Sequence, residues 1–200
     1  NPDIRVLLLE AGIADWRFDW RLHMPAALAW PLKSNTYNWA YYSQPELQLK
    51  SRRMYCPRGR VLGGSSTING MVYVRGNALD YEGWASRPGL AHWSYGHCLP
   101  YFRRAETRES GGDEYRGSGG PLKVATGRCI HPLFQAFIEA GQQAGFPFTK
   151  DVNGYQQEGV GHFDMTVWRS RRWSASSAYL RPVHRRPNLT VLTNAQVGGL

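Results

Sequence analysis

Gly59, Gly63, Gly64 and Gly70 share one short segment with Ser65, Ser66 and Asn69, framed by Val61-Leu62 before and Ile68 after. Glycine lets a ligand approach the backbone with no Cβ in the way. The serines and the asparagine add short donors and acceptors, and successive backbone amides can form an anion-binding concavity. The chemistry this suits is the cradling of a phosphate-bearing ligand where a loop leads into a helix. A surface turn shares the Gly-Gly-Ser pattern, but it has no need of the flanking Val-Leu and Ile.

Such a loop needs a sheet to hold it. Residues 4–9 are an almost unbroken apolar run closed by Glu10-Ala11-Gly12, the pattern of a strand buried on both faces of a parallel sheet. In dinucleotide-binding units an acid ends the second strand, about 20 residues after a glycine fingerprint, and receives the ribose hydroxyls. Glu10 stands where that acid would stand, although a lone acid after a strand also reads as a turn residue.

The remaining organisation is coarse. Residues 13–50 are rich in Trp, Tyr and Pro with little helical periodicity and read as an irregular, lid-like excursion. Residues 92–109 have mixed helical character, and 111–120 form a Gly- and Asp-rich loop. Pro132, the apolar positions Phe134, Phe137, Ile138 and Gly141, and the stop at Gly145 predict a helix over 132–144 with an aromatic core face. Short strands are predicted at 122–124, near 162–167 and at 189–192.

With those elements in place, residues 59–82 (GRVLGGSSTINGMVYVRGNALDYE) resemble the signature of the glucose–methanol–choline (GMC) family of FAD-dependent oxidoreductases. VLLLEAG at 6–12 is similar to that family's second strand. MPAALAWPL from Met24, YNWAYYSQPE from Tyr37, WSYGHCLPYFRRAETRE from Trp93, DVNGYQQEGVG from Asp151 and RPNLTVLTNA from Arg186 resemble its choline-oxidising branch. The resemblance covers essentially the whole chain. It implies an α/β fold: a Rossmann-like FAD-binding domain interrupted by a partial α+β substrate-binding domain. The expected divisions are 1–150 (with the excursion at 13–50) for FAD, 151–174 for the start of the substrate domain, and 175–200 for the return.

The resemblance also implies roles. Glu10 would accept from the adenosine ribose. Gly63, Gly64 and Ser65 would lie at the pyrophosphate or ribityl region, and Asn69 and Gly70 near the flavin ring and its ribityl chain. Val72 would reach the flavin through its backbone and Val197 the adenine through its main chain, though core packing accounts for either valine equally well. Arg58 and Arg60 read equally as phosphate neighbours and surface residues. Some choline-oxidising members tether the flavin through a His just before the motif's Asn; here that residue is Ile68, so non-covalent FAD is expected. Residues 167–173 depart from the family's turn in being more basic and aromatic.

The implied reaction is oxidation of choline to betaine aldehyde, with the aldehyde hydrate as a further substrate on the way to glycine betaine. Another small primary alcohol, or an oxidase or lyase on the same FAD loop, is the alternative within the family. A dye or respiratory-chain carrier is the expected electron acceptor. The location implied is the cytoplasm or the inner-membrane periphery.

The family's GxGxxG loop is expected before Asn1 and its catalytic His beyond Leu200, so no catalytic residue is assigned here and the chain reads as an internal portion of an enzyme. Cys56, Cys98 and Cys129 are widely spaced, which fits reduced thiols better than disulfides or a metal site. The net charge of +9 raises a nucleic-acid-binding alternative. However, Pro182 and Pro187 interrupt the basic run at 169–186, no nucleic-acid motif accompanies it, and a solvated face is the expected account. The 200-residue chain alone is expected to bind FAD poorly and not to oxidise choline. Turnover in a dye-coupled assay, or flavin bound at micromolar affinity, would contradict this.

Overall fold

In the computed structural model, which describes residues 2–128 and 130–199, the chain forms two compact units. Residues up to Met71 and from Arg169 onward make one, and Val72–Trp168 makes the other.

The first unit is built around a parallel strand pair, Val6–Leu9 with Leu189–Leu192, in register from Val6 opposite Leu189 to Leu9 opposite Leu192. The parallel pairing matches the apolar run, but burial on both faces does not: Val6, Leu7 and Leu9 are 47%, 57% and 43% exposed. A two-stranded sheet has too little width to cover itself. Between residues 13 and 50 the chain makes a two-residue strand, Tyr41–Tyr42, 3₁₀ turns at Pro25–Ala27 and Leu47–Leu49, and two brief helices, Trp20–His23 and Ala29–Lys33. Each is about one turn, too short to leave a helical repeat in the sequence.

The excursion is anchored all the same. Leu22 and Tyr37 pack with Val61 and Ile68 in a small core, flanked by Ile13 and Leu32. Asn38 is buried and fully used: its amide donates to the Leu32 carbonyl and the Tyr55 hydroxyl, and its Oδ1 accepts from the Ala40 and Arg58 N–H groups. A bridge between Asn38 and Gly59, and another between Ile13 and Val61, fix where the glycine-rich loop begins.

The second unit has a four-stranded sheet in the order Val72–Tyr73, Asp164–Met165, Leu122–Thr126, Glu106–Arg108. The first two pairings are antiparallel and the last is parallel. Three helices accompany it: Ala78–Ala85, Tyr95–Ala105 and Pro132–Gln143, with Asn77, Ser94 and His131 as side-chain N-caps. Strands at 122–126 and 164–165 and the helix from Pro132 fall where the pattern put them. The aromatic face of that helix is not core, however. Phe134 and Phe137 are 51% and 73% exposed while Ile138 is 6% exposed, and a Cβ at Gly141 would lie 2.6 Å from a Val160 methyl. The helix therefore docks through Ile138 and the bare backbone of Gly141, not through the phenyl rings.

Residues 72–150 pack with 151–168, and the chain rejoins the first unit at Arg169. The sheet explains this, because its strands come from both sides of residue 150. A buried ion cluster does the same. Glu106 meets Arg116 at 2.8 Å and Arg75 at 3.0 Å, and Arg116 also reaches Asp151 and Asp164, each at 2.7 Å. Arg108 completes it, 3.0 Å from Asp151, so three arginines face three carboxylates. Burial raises the Glu106 carboxyl, but hydrogen bonds from Arg116 and the Gly117 N–H, with the charges of Arg116 and Arg75, outweigh it and hold it below 4.5.

Among the described residues no helix is long and apolar enough to cross a membrane. Cys56 and Cys98 are free thiols, and Cys129 lies outside the described residues.

Glu106→Gln should destabilise the intact protein by about 3–5 kcal/mol in urea unfolding, because it strips a buried cluster of one charge. Acid should act in two steps. His23, in the first unit, is held below 6.5, chiefly by burial and further by the Arg181 and Arg171 charges, against the Trp16 hydrogen bond. Both groups have depressed folded-state values, so their contribution is full above 6.5 and 4.5 respectively and is lost as pH falls through the folded values. Melting temperature against pH should lose its upper step in His23→Gln and its lower step in Glu106→Gln.

Candidate cofactor-binding site

The glycine-rich loop turns sharply at its centre. Gly63 has φ +88°, and a Cβ there would sit 2.4 Å from the Thr67 hydroxyl, so only glycine fits. Behind it, Thr67 Oγ1 donates to the Leu62 carbonyl and Ser66 Oγ donates to the Gly63 carbonyl. Ser66 Oγ also accepts the Ala175 N–H at 2.8 Å, clasping the loop to the π-turn Ser176–Leu180. The helix expected after the loop is one 3₁₀ turn, Gly64–Thr67. Gly70 and the positive φ of Met71, 64°, end the coil before a helix can form. A helix dipole is therefore not available at this loop.

The glycines divide by task. A Cβ on Gly59 would fall 2.3 Å from the Gly64 backbone, whereas one on Gly64 or Gly70 would meet nothing within 4 Å. Gly59 and Gly63 pack the loop, while Gly64 and Gly70 leave its backbone open to a ligand. Ser65, Asn69 and Gly70 are exposed. Ser65 Oγ already accepts the Gly59 N–H at 3.1 Å, so its hydroxyl keeps a donor to offer.

Glu10 follows the strand Val6–Leu9 and accepts the Gly12 N–H on Oε1 at 2.8 Å. It lines a groove of about 510 Å³ together with Leu9, Gly63, Ser176 and Tyr179. Ser65, Asn69 and Gly70 do not line that groove. Val197 follows the second strand in the same unit and Val72 begins the other unit. Each is 54% exposed.

The sequence pattern passes over the residues that hold this unit together. Arg172 is 2% exposed. Its Nε donates to the Leu22 carbonyl at 2.9 Å, and its Nη1 donates to the Asn69 carbonyl at 2.6 Å and to Asn69 Oδ1 at 2.9 Å. Burial pushes its guanidinium down to about 10, and among the described residues no carboxylate pairs with it. Arg171 donates to the Arg17 carbonyl, and Arg181 to the carbonyl and carboxylate of Asp15. His23 Nε2 lies 2.9 Å from the Trp16 carbonyl and donates to it, the carbonyl having nothing to give.

The basic run is thus not a solvated face at Arg172, although Arg171 is exposed; together with Arg181 these arginines tie the excursion of residues 15–23 to the chain's return. They border a second, larger cavity of about 1010 Å³ that also takes in Asp15, His23 and His184. The signal available in the sequence was the unusually basic turn at 167–173.

The sequence model of the GMC oxidoreductase family matches residues 13–200. The chain is 58% identical over 197 residues to an oxygen-dependent choline dehydrogenase of Paraburkholderia phymatum, covering 98% of this chain and 34% of the relative. A Pseudomonas aeruginosa protein of the same description is 57% identical, with 98% and 35% covered. Among solved structures, pyridoxine 4-oxidase from Mesorbium loti superposes with a TM-score of 0.89 at 36% identity, over 97% of this chain and 38% of that one. An FAD-dependent oxidoreductase from Chaetomium thermophilum gives 0.83 at 29% identity, over 96% and 34%. The chain spans about a third of the length of these curated relatives. With a family match over nearly its whole length and a glycine-rich loop open at Gly64 and Gly70, this chain belongs to the GMC oxidoreductase family.

Proposed function

We propose that this chain is part of an FAD-dependent oxidoreductase that oxidises choline to betaine aldehyde and accepts the aldehyde hydrate in turn. The observation that carries the substrate is the 56–58% identity to oxygen-dependent choline dehydrogenases across 98% of the chain. The geometry supports the cofactor. The open backbone at Gly64 and Gly70, the Glu10 carboxylate with one oxygen unused by Gly12, and the exposed Ser65 and Asn69 suit a large polar ligand bearing phosphates and hydroxyls.

In this reading Glu10 accepts from the ribose hydroxyls. The amides around Gly63, Gly64 and Ser65 receive the pyrophosphate or ribityl oxygens, and Asn69 and Gly70 border the flavin ring. The backbones of Val72 and Val197 supply further contacts. FAD, when bound, supplies the hydride acceptor. The residues of this chain bind and orient it, placing polar groups before the reaction begins so that none need reorganise during it.

Ile68 bears on how the cofactor is held. It is 2% exposed, in the core with Leu22, Tyr37 and Val61, and an aliphatic side chain offers no nucleophile for a covalent link. FAD is therefore proposed to be non-covalent. The relatives' descriptions favour oxygen as the acceptor over the respiratory carrier expected from sequence. A different alcohol substrate is the second reading, favoured by the likeness to pyridoxine 4-oxidase; its lower identity ranks it behind choline.

The test is steady-state turnover of the full-length protein with choline against aliphatic and aryl alcohols and pyridoxine, with dye or oxygen as acceptor. Choline should give the highest kcat/KM, and a preference for any other alcohol would overturn the substrate. Acid precipitation should release yellow flavin to the supernatant, and colour kept in the pellet would contradict non-covalent binding. Asn69→Leu should lower flavin occupancy or kcat, by about 2–4 kcal/mol if the amide is a preorganised donor, with the KM for choline little changed. Normal flavin content and kcat would reduce Asn69 to a loop residue.

A further inference from the structure

Asn69 Oδ1 accepts from Arg172 Nη1 at 2.9 Å and from the Met71 N–H at 3.1 Å, which occupies both of its lone pairs. Turning the amide over would set its NH₂ against two donors, so one orientation alone is compatible with these partners. The amide nitrogen, with two N–H groups, is thereby left on the side away from Arg172, in a residue that is exposed.

Arg172 is itself held rigidly. Leu22 is 0% exposed and its carbonyl takes Nε, and the Ser66 carbonyl lies 3.4 Å from Nη1 beside the Asn69 carbonyl. Among the described residues its Nη2 is buried with no hydrogen-bond partner, and its charge is met by carbonyl dipoles alone. A buried cation answered only by carbonyls is expensive to keep, and a purely packing role would be served better by an apolar side chain. A guanidinium donating to Oδ1 also draws electron density from the amide and strengthens its N–H groups as donors.

We propose that Arg172 is the positioning residue of the flavin site, fixing the Asn69 amide so that its N–H groups face the cofactor as polarised donors. The inference rests on the reading of Asn69 as a flavin neighbour given above. Arg172 acts through the Asn69 side-chain amide, and it needs no contact of its own with the cofactor.

The test is a double-mutant cycle in the full-length protein, combining Arg172→Lys with Asn69→Ala and read by the FAD dissociation constant of the apoprotein, the flavin absorption spectrum and kcat against KM. Lysine keeps the charge but is a single point donor that cannot reproduce the fork. Arg172→Lys should weaken FAD binding about tenfold, the equivalent of about 1.4 kcal/mol, shift the flavin spectrum and leave the KM for choline within about twofold. In the Asn69→Ala background the same substitution should change FAD affinity and spectrum little. Equal effects in both backgrounds, or a lowered melting temperature with unchanged flavin spectrum and affinity, would overturn the proposal.

Should Arg172→Lys not fold, Asn69→Asp decides, because it keeps an acceptor for Arg172 and removes the N–H donors. Wild-type FAD affinity and spectrum in Asn69→Asp would again overturn the proposal, and a loss of affinity with a retained melting temperature supports it. A wild-type protein that binds no FAD defeats the cofactor reading itself. One that binds FAD and loses it in Asn69→Ala, but shows no coupling to Arg172, defeats the positioning inference alone.

Discussion

The first unit depends on a charge that has nowhere to go. Among the described residues Arg172 is buried without a carboxylate, and its donors run to two separate stretches of chain: Leu22 in the excursion, and Ser66 and Asn69 at the start and end of the loop's last turn. Removing a guanidinium from water costs several kcal/mol, and carbonyl dipoles return that only if each lies within hydrogen-bond range. The excursion, the loop and the returning strand are therefore constrained together. Arg171 and Arg181 repeat the arrangement more cheaply, one exposed and one paired with Asp15. Segments with little regular structure of their own thus acquire fixed positions.

The second unit meets the problem of buried charge in another way. Its arginines have carboxylates, three facing three, and the cluster is locked by short contacts from Arg116 to Glu106, Asp151 and Asp164. Such a cluster contributes less to stability than to uniqueness of packing, because its members tolerate only one arrangement. The contrast gives each unit a distinct vulnerability. Loss of one carboxylate unbalances the second, while the first, with no carboxylate at Arg172 among the described residues, depends there on backbone geometry.

Regular structure was legible where local chemistry dictates it. Pro132 at the first helical position and Gly145 at φ +94° bound a helix whatever surrounds them, and the branched run at 189–192 became a strand. Of the site, the open Gly64 and Gly70 were legible as glycines in a polar segment. Burial was not, because it is a property of neighbours: the apolar faces of Val6–Leu9 and of Phe134 and Phe137 remain exposed. The same holds for Arg172. Nothing in the string of arginines from 169 to 186 separates the buried one from its exposed neighbour, since the distinction is made by carbonyls more than a hundred positions away in sequence.

We propose that the segment from Gly63 to Gly70 is a flavin cradle whose terminal amide is aimed by Arg172. The most direct measurement is a crystal structure of the full-length protein with FAD bound. The account predicts cofactor density against Gly64 and Gly70, Asn69 Oδ1 still within hydrogen-bond distance of Arg172 Nη1, and the Asn69 amide nitrogen turned toward the flavin. Cofactor lying away from this loop, or Asn69 released from Arg172 in the bound state, would contradict it.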